Sequence, residues 1–202
     1  MGQGGAPEQC RDAATGEVGA EGDGLGFDGC HLVGANLTGA ILHSARFEKA
    51  NLAGARLVGA QASFGAILAG ANLTGAELDG FTAPEANLAN AIVSGARACG
   101  IHLPGAQIGR SQWRGAVLVE ADFYKAQLGG ADFRGANLTN ANLKQCELNG
   151  SDTTDFRGAN LTGVVLDGAI LYDVDFRGAN LTGAQLIDVV LEKTRWDGAI
   201  LT

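Results

Sequence analysis

A five-residue period runs through most of this 202-residue chain and limits what the chain can fold into. From Leu25 onward a Leu, Phe or other residue that we call the centre recurs at every fifth position, beginning with Phe27, Leu32, Leu37 and Leu42. Ala usually lies two positions before the centre, and Gly often lies two positions after it. Self-similarity at a fixed period is typical of solenoids, in which stacked repeats bury one continuous core that a single repeat could not bury alone.

Two interruptions divide the period. One extra residue lies between Ala62 and Leu68, and three extra residues lie between Leu148 and Phe156. We therefore predict one repeat domain over 25–202 with register breaks near 63–67 and 149–154. Residues 1–24 contain Gly, Pro and acidic residues without the period, and we expect them to form a flexible N-terminal tail or a partial cap on the first coil.

Four segments show the repeat in its clearest form. Ala35-Asn-Leu-Thr-Gly39, Ala71-Asn-Leu-Thr-Gly75, Ala131-Asp-Phe-Arg-Gly135 and Ala179-Asn-Leu-Thr-Gly183 share the pattern A-[DN]-L-x-x. In this the chain resembles the pentapeptide-repeat family. The resemblance implies an all-β fold, a right-handed quadrilateral parallel β-helix with four pentapeptides per coil and both Ala and the centre pointing inward. Over this length the solenoid would have about nine coils.

A coil of four pentapeptides can be tested against the positions of the large aromatic residues. If each break is a corner insertion, both Trp and three of the Phe lie in one inward column, which we call the aromatic column: Trp113, Phe133, Phe156, Phe176 and Trp196. Random placement would scatter them over four faces, so their alignment supports the coil length.

Charged residues flank the aromatic column on the outside and form a candidate docking face. Arg114, Arg134, Arg157 and Arg177 follow the column, and Asp132, Asp155 and Asp175 precede it. One interpretation is a stripe that binds an anion or a protein partner. The alternative is a solvated salt ladder, whose exposed ion pairs contribute only about 0–1 kcal/mol each. Catalysis by the stacked carboxylates is disfavoured, because the flanking Arg residues would hold all of them ionised and leave no general acid.

A second candidate surface is apolar and lies in the last coils. Outward positions that carry polar residues elsewhere become apolar or aromatic there: Val165, Ile170, Tyr172, Ile187, Val190 and Ile200. Exposed apolar patches often mark interfaces, although β-branched residues are also common on strand surfaces. The repeat runs to Thr202 without a capping helix. We therefore predict a C-terminal interface for self-association or for docking a partner.

Composition excludes several classes of function. A net charge of −8 and a pI near 4.8 argue against direct nucleic-acid binding, which needs excess Lys and Arg. No apolar run is long enough to span a membrane, and no hydrophobic signal core is visible near the N-terminus, so we expect a cytoplasmic location. A plastid or thylakoid-lumen location stays open if a targeting segment has been removed. The widely spaced Cys residues indicate neither a disulfide framework nor a zinc site, and no cofactor is implied.

Two functions remain open at this stage. The first is a non-enzymatic scaffold, a rigid rod that presents side-chain columns to a protein partner of unknown identity. The second follows from the resemblance, because some pentapeptide-repeat proteins mimic DNA in shape and charge, form dimers joined at their C-terminal ends, bind DNA gyrase and protect it from quinolones. This chain is acidic, as that alternative requires, but a four-Arg column occupies one of its faces.

Overall fold

A computed structural model of the protein describes residues 24–202, and the regular elements in that range are short parallel β-strands. Strand β1 is Thr154–Asp155, β2 is Ile170–Tyr172, β3 is Val174–Asp175 and β4 is Val190–Glu192. Strand β1 pairs with β3, and β2 pairs with β4. Isolated parallel bridges connect the remaining repeats, and no helix occurs between residues 24 and 202. The tail expected over residues 1–24 lies outside the described residues except for Gly24.

The bridges join residues that are one coil apart. His31 pairs with Asn51, four pentapeptides later in the chain, and this spacing holds through most of the solenoid. Asn51 pairs with Asn72, one position beyond that spacing, and Asp132 pairs with Asp155, three positions beyond it. Both longer spacings span one of the two interruptions of the period. The extra residues therefore bulge outward while the ladder stays in register above and below them.

Each pentapeptide ends in a tight turn that explains the recurring Gly. The backbone N–H of Ala35 donates to the carbonyl of the centre Leu32 at 3.0 Å, which closes a tight turn from Leu32 to Ala35. The third residue of that turn, Gly34, has a φ of +67°. Type II turns require a positive φ at this position, and Gly adopts it without a steric penalty.

The polar residue before the centre also has a local structural role. The Asn137 side-chain oxygen accepts a hydrogen bond from the Thr139 backbone N–H at 3.1 Å, and Asp155 accepts one from the Arg157 N–H at 3.0 Å. These Asx turns satisfy an amide at the corner of the coil. The preference for Asn or Asp in the repeat therefore follows from turn chemistry, and it does not by itself indicate a binding site.

The core is filled by the centres and by the Ala residues that precede them. These positions are buried from Phe27 to Leu181. Within the aromatic column, Phe156 stacks on Phe133 with ring centroids 4.9 Å apart and on Phe176 at 5.2 Å. Trp113 continues the stack below Phe133 at 6.0 Å, and Trp196 continues it above Phe176 at 4.6 Å. One aromatic stack thus runs through the C-terminal half of the solenoid.

Candidate interaction surfaces

The charged stripe forms a continuous series of ion pairs, which we call the Arg–Asp ladder. Its members alternate in sign along the solenoid: Arg114, Asp132, Arg134, Asp155, Arg157, Asp175 and Arg177. Arg157 donates from Nε to Asp155 Oδ1 at 2.9 Å and from Nη2 to Oδ2 at 2.6 Å. Arg134 and Arg177 each donate two hydrogen bonds in the same bidentate way to the Asp two positions earlier. Such forked pairs are among the stronger charge-assisted hydrogen bonds.

Weaker contacts connect successive coils of the ladder. Arg134 Nε lies 3.4 Å from Asp155 Oδ2, and Arg157 Nε lies 3.8 Å from Asp175 Oδ2. Arg114 has Gln two positions before it and therefore reaches across to Asp132 in the next coil, with 2.5 Å between Nε and Oδ2. The geometry accounts for the stripe as a salt ladder, and its use as a docking face stays a prediction.

The carboxylates of the ladder are more buried than its guanidinium groups. The Asp132 and Asp175 side chains are 15% and 4% exposed, whereas the four Arg side chains of the ladder are between 37% and 52% exposed. The hydrogen bond from Arg177 lowers the pKa of Asp175 below its ordinary value. Burial opposes ionisation of Asp132, but the hydrogen bonds from Arg134 and Arg114 outweigh it and lower the pKa of that carboxyl as well. Both groups stay ionised at neutral pH, so neither can serve as a general acid.

The structure brings together only part of the C-terminal interface predicted from the sequence. Ile170 pairs directly with Val190, and with Tyr172 they line a shallow groove of about 500 Å³. Ile187 and Val190 are 63% and 57% exposed. We call these four residues, Ile170, Tyr172, Ile187 and Val190, the C-terminal apolar patch.

Ile187 is exposed but does not line the groove, and neither do the other two predicted interface residues. Val165 is half-buried and pairs with Asn142 and Gln185, so it lies in a different column from Ile170 and Val190. Ile200 is 51% exposed but pairs with Asn180, so it follows a different column of the solenoid.

Phe64 is an exposed aromatic residue that sequence analysis missed. It lies in the first interruption, is 76% exposed and has a φ of +62°, which is unusual for a bulky residue. The His43 ring meets it edge to face at 5.3 Å, and the Ser44 hydroxyl donates to its carbonyl at 3.2 Å. The extra residue at this point of the period was the only signal available in the sequence.

The second interruption forms a loop over residues 149–153 that is fastened to an earlier coil. Arg110 donates from Nε to Asp152 and from Nη2 to the Ser151 hydroxyl, both at 2.7 Å. The backbone of the loop lies against Gly129, where an added Cβ would come within 3.1 Å of the Gly150 Cα. Because Gly129 has no side chain, the loop can pack flat on the solenoid.

Two kinds of reactive side chain remain in residues 24–202, namely potential metal ligands and Cys thiols. Among residues 24–202 no group of three or more His, Cys, Asp or Glu side chains could hold a metal ion. The Cys146 thiol is buried and donates to the Phe123 carbonyl at 2.8 Å, and burial raises its pKa to about 12. Cys99 is a free, partly exposed thiol. Cys30 is buried and disulfide-bonded, which the wide spacing of the four Cys residues did not indicate.

The fold and these surfaces define a class of protein: a parallel β-solenoid built from five-residue repeats, with charged and apolar columns on its outside. Within the range 24–202 there is no helix of the length and apolarity needed to cross a membrane. The pentapeptide repeat model matches residues 27–63 and 66–105, and the model of a pentapeptide repeat region matches 106–186. The chain belongs to the pentapeptide-repeat family, whose members form right-handed β-helices.

Three solved structures are similar to this chain, and the first of them supports the fold. A trypsin-treated variant of QnrB1, a plasmid-mediated fluoroquinolone resistance protein, superposes with a TM-score of 0.67 at 22% identity, covering 89% of this chain and 90% of QnrB1. HetL, a pentapeptide repeat protein involved in heterocyst differentiation in Nostoc sp. strain PCC 7120, is 29% identical with a TM-score of 0.48 over 95% of this chain and 94% of HetL. A thylakoid-lumen pentapeptide repeat protein of Arabidopsis thaliana is 23% identical, with a TM-score of 0.34 over 71% and 76% of the two chains. No curated protein matches the chain.

Proposed function

We propose that this protein is a non-enzymatic interaction scaffold, a rigid four-sided rod of about nine coils that docks a protein through the C-terminal apolar patch. The observation that carries the proposal is the exposure of Ile187 and Val190, the second of which lines a groove together with Ile170 and Tyr172. In the middle coils, by contrast, polar residues such as Gln107 and Gln127 lie in the column that leads to Glu147, the bridge partner of Ile170. Polar residues occupy this column from Asn87 to Glu147, and the patch begins where they end; Ile67, nearer the N-terminus, is apolar as well.

A second copy of the chain is the partner that this surface fits best. Glu192 and Lys193 border the patch, and the Lys193 ammonium donates to the Tyr172 hydroxyl at 2.5 Å. A two-fold interface places the same surface on both subunits, so residues of both signs at its edge can meet opposite charges on the other copy. Full burial of an aliphatic side chain contributes about 1.5–3 kcal/mol. Ile187 and Val190 on two subunits would therefore supply a large part of the affinity.

Molecular mass in solution tests the proposal. The double variant Ile187→Lys with Val190→Glu should convert a dimer to a monomer, since it buries charge in the contact. The matched control is Val33→Lys, because Val33 is also 63% exposed but lies in the second repeat, far from the patch. Circular dichroism of all three proteins checks that the solenoid stays folded. A monomeric wild type, or a double variant that remains dimeric, would refute self-association through this patch.

The second candidate is a DNA-mimicking protein that binds DNA gyrase or another type II topoisomerase and protects it from quinolones. QnrB1 is named as a fluoroquinolone resistance protein, and its backbone resembles this one. The charge distribution argues against the same role here. Residues 24–202 contain thirteen Lys and Arg against seventeen Asp and Glu, so half of the net charge of −8 belongs to the segment before Gly24. In the Arg–Asp ladder, moreover, neighbouring Arg side chains balance the negative charges of the Asp residues. Protection of DNA gyrase supercoiling from a fluoroquinolone by the purified protein would favour the mimic over the scaffold.

A further inference from the structure

The loop over residues 149–153 contains the single Asn–Gly step of the sequence, Asn149–Gly150. Both residues are exposed. Asn is thermolabile because the backbone nitrogen of the next residue can attack its side-chain amide. A following Gly has no side chain to obstruct that attack. The rate of this reaction depends on whether the nitrogen can reach the amide carbon, and the fold decides that.

At the other ten Asn residues the fold holds the attacking nitrogen in place. Each of them is followed by Leu or Ala, and the N–H of that next residue donates a backbone hydrogen bond. After Asn160, Leu161 donates to the Asn180 carbonyl at 2.7 Å; after Asn90, Ala91 donates to the Leu88 carbonyl at 3.0 Å. Among residues 24–202 the Gly150 N–H makes no such bond.

We propose that Asn149 is a site of spontaneous deamidation. The Gly150 nitrogen attacks Cγ of Asn149 and loses its proton, and the new C–N bond closes a five-membered succinimide. The bond from Cγ to Nδ2 breaks, and the side-chain NH₂ group takes up a proton and leaves as ammonia. Water then adds to either carbonyl of the ring. One ring opening gives aspartate at position 149, and the other gives isoaspartate, in which the main chain runs through Cγ. No oxidant, cofactor or enzyme is needed.

The products change the surface at a sensitive point. Each replaces a neutral amide by a carboxylate, and isoaspartate also lengthens the main chain by one atom where the loop packs flat on Gly129. Asn149 and Gly150 line the same groove as Ile170 and Val190. Under the proposed function, on which this consequence rests, a new negative charge there weakens docking. The modification would then act as a record of the protein's age.

The test is peptide mapping of the full-length protein after incubation in mildly alkaline buffer at physiological temperature. Isoaspartyl methyltransferase labelling identifies isoaspartate, and mass spectrometry detects the replacement of NH₂ by OH. We expect modification at Asn149 to exceed that at Asn90 and Asn140 by more than about tenfold. The variant Asn149→Gln should abolish the signal, since its longer side chain cannot form a five-membered ring.

A matched variant separates the fold from the sequence. Ala91→Gly creates a second Asn–Gly step at Asn90, where the following N–H is hydrogen-bonded within a turn. Asn90 should remain at least about tenfold slower than Asn149 in that variant. Equal rates, or an unmodified Asn149, would overturn the inference. The mapping is independent of oligomeric state: a wild-type monomer that deamidates at Asn149 refutes the proposed dimer and leaves the modification standing.

Discussion

Replacing Phe156 by Ala should be among the most destabilising single substitutions in this solenoid. The Phe156 ring is fully buried, and its two faces stack on Phe133 at 4.9 Å and on Phe176 at 5.2 Å. Truncation of a core Phe to Ala costs about 3–5 kcal/mol. An aromatic contact contributes about 0.5–1.5 kcal/mol beyond area burial, and here two are lost, so we place the loss at about 4–5 kcal/mol. That is a large fraction of the roughly 5–15 kcal/mol that stabilises a typical domain.

Two further variants show how much of the loss predicted for Phe156→Ala comes from the aromatic stack. Phe156→Leu should cost only about 1–2 kcal/mol, because Leu32 and Leu52 fill the same column in the first coils. Trp196→Ala should cost less than Phe156→Ala, since Trp196 is only partly buried and contacts one ring of the column. Urea unfolding followed by Trp fluorescence measures all three, and Trp113 still reports when Trp196 is removed. A loss below about 1.5 kcal/mol for Phe156→Ala, or one equal to that of Trp196→Ala, would show that the stack does not stabilise the coils as we reason.

Two other predictions concern titratable groups. The pKa values of Asp132 and Asp175 are lowered in the folded protein, so their contribution to stability is complete above the unfolded-state pKa of about 3.9 and is lost as the pH falls through the lower, folded-state values. Urea unfolding over an acid pH series should therefore show that the free energy of unfolding falls below about pH 4, and that it falls less steeply for Asp175→Asn than for the wild type. Parallel curves for the two proteins would contradict the pairing of Asp175 with Arg177. Burial raises the pKa of the Cys146 thiol to about 12, so iodoacetamide should alkylate the partly exposed Cys99 in the native protein and leave Cys146 unmodified until the chain unfolds. Mass mapping of the alkylated peptides checks this, and native labelling of Cys146 would show that its coil opens readily.

Much of the architecture could be predicted because each pentapeptide repeats the same local chemistry. The turn after Leu32 needs a positive φ at Gly34, and the Asn or Asp before a centre caps the same corner. Once the period is known, residues one coil apart must be neighbours. That is why the neighbours within the Arg–Asp ladder could be assigned from the sequence, although the bidentate pairing of Arg157 with Asp155 could not.

The features that escaped prediction lie where the period stops. Arg110 reaches Asp152, which is far from it in the chain, and no periodic argument connects a loop insertion with a particular coil. Phe64 likewise has no counterpart in other repeats that would reveal its exposure. For the C-terminal apolar patch the period already places Ile170 beside Val190, but only the structure shows that both line one groove with the loop residue Asn149.

These observations indicate where function can reside in a protein of this kind. A regular repeat gives every coil nearly the same polar surface, and a partner that bound one such coil would bind its neighbours about equally well. A unique site therefore requires a departure from the repeat. In residues 24–202 the departures are the Phe64 corner, the loop held by Arg110 and the C-terminal apolar patch, and the last two share the groove between Asn149 and Val190. A partner that docks in that groove would touch both the apolar residues and the loop. Its binding should then respond to Arg110→Ala, which releases the loop, as well as to substitutions in the patch itself.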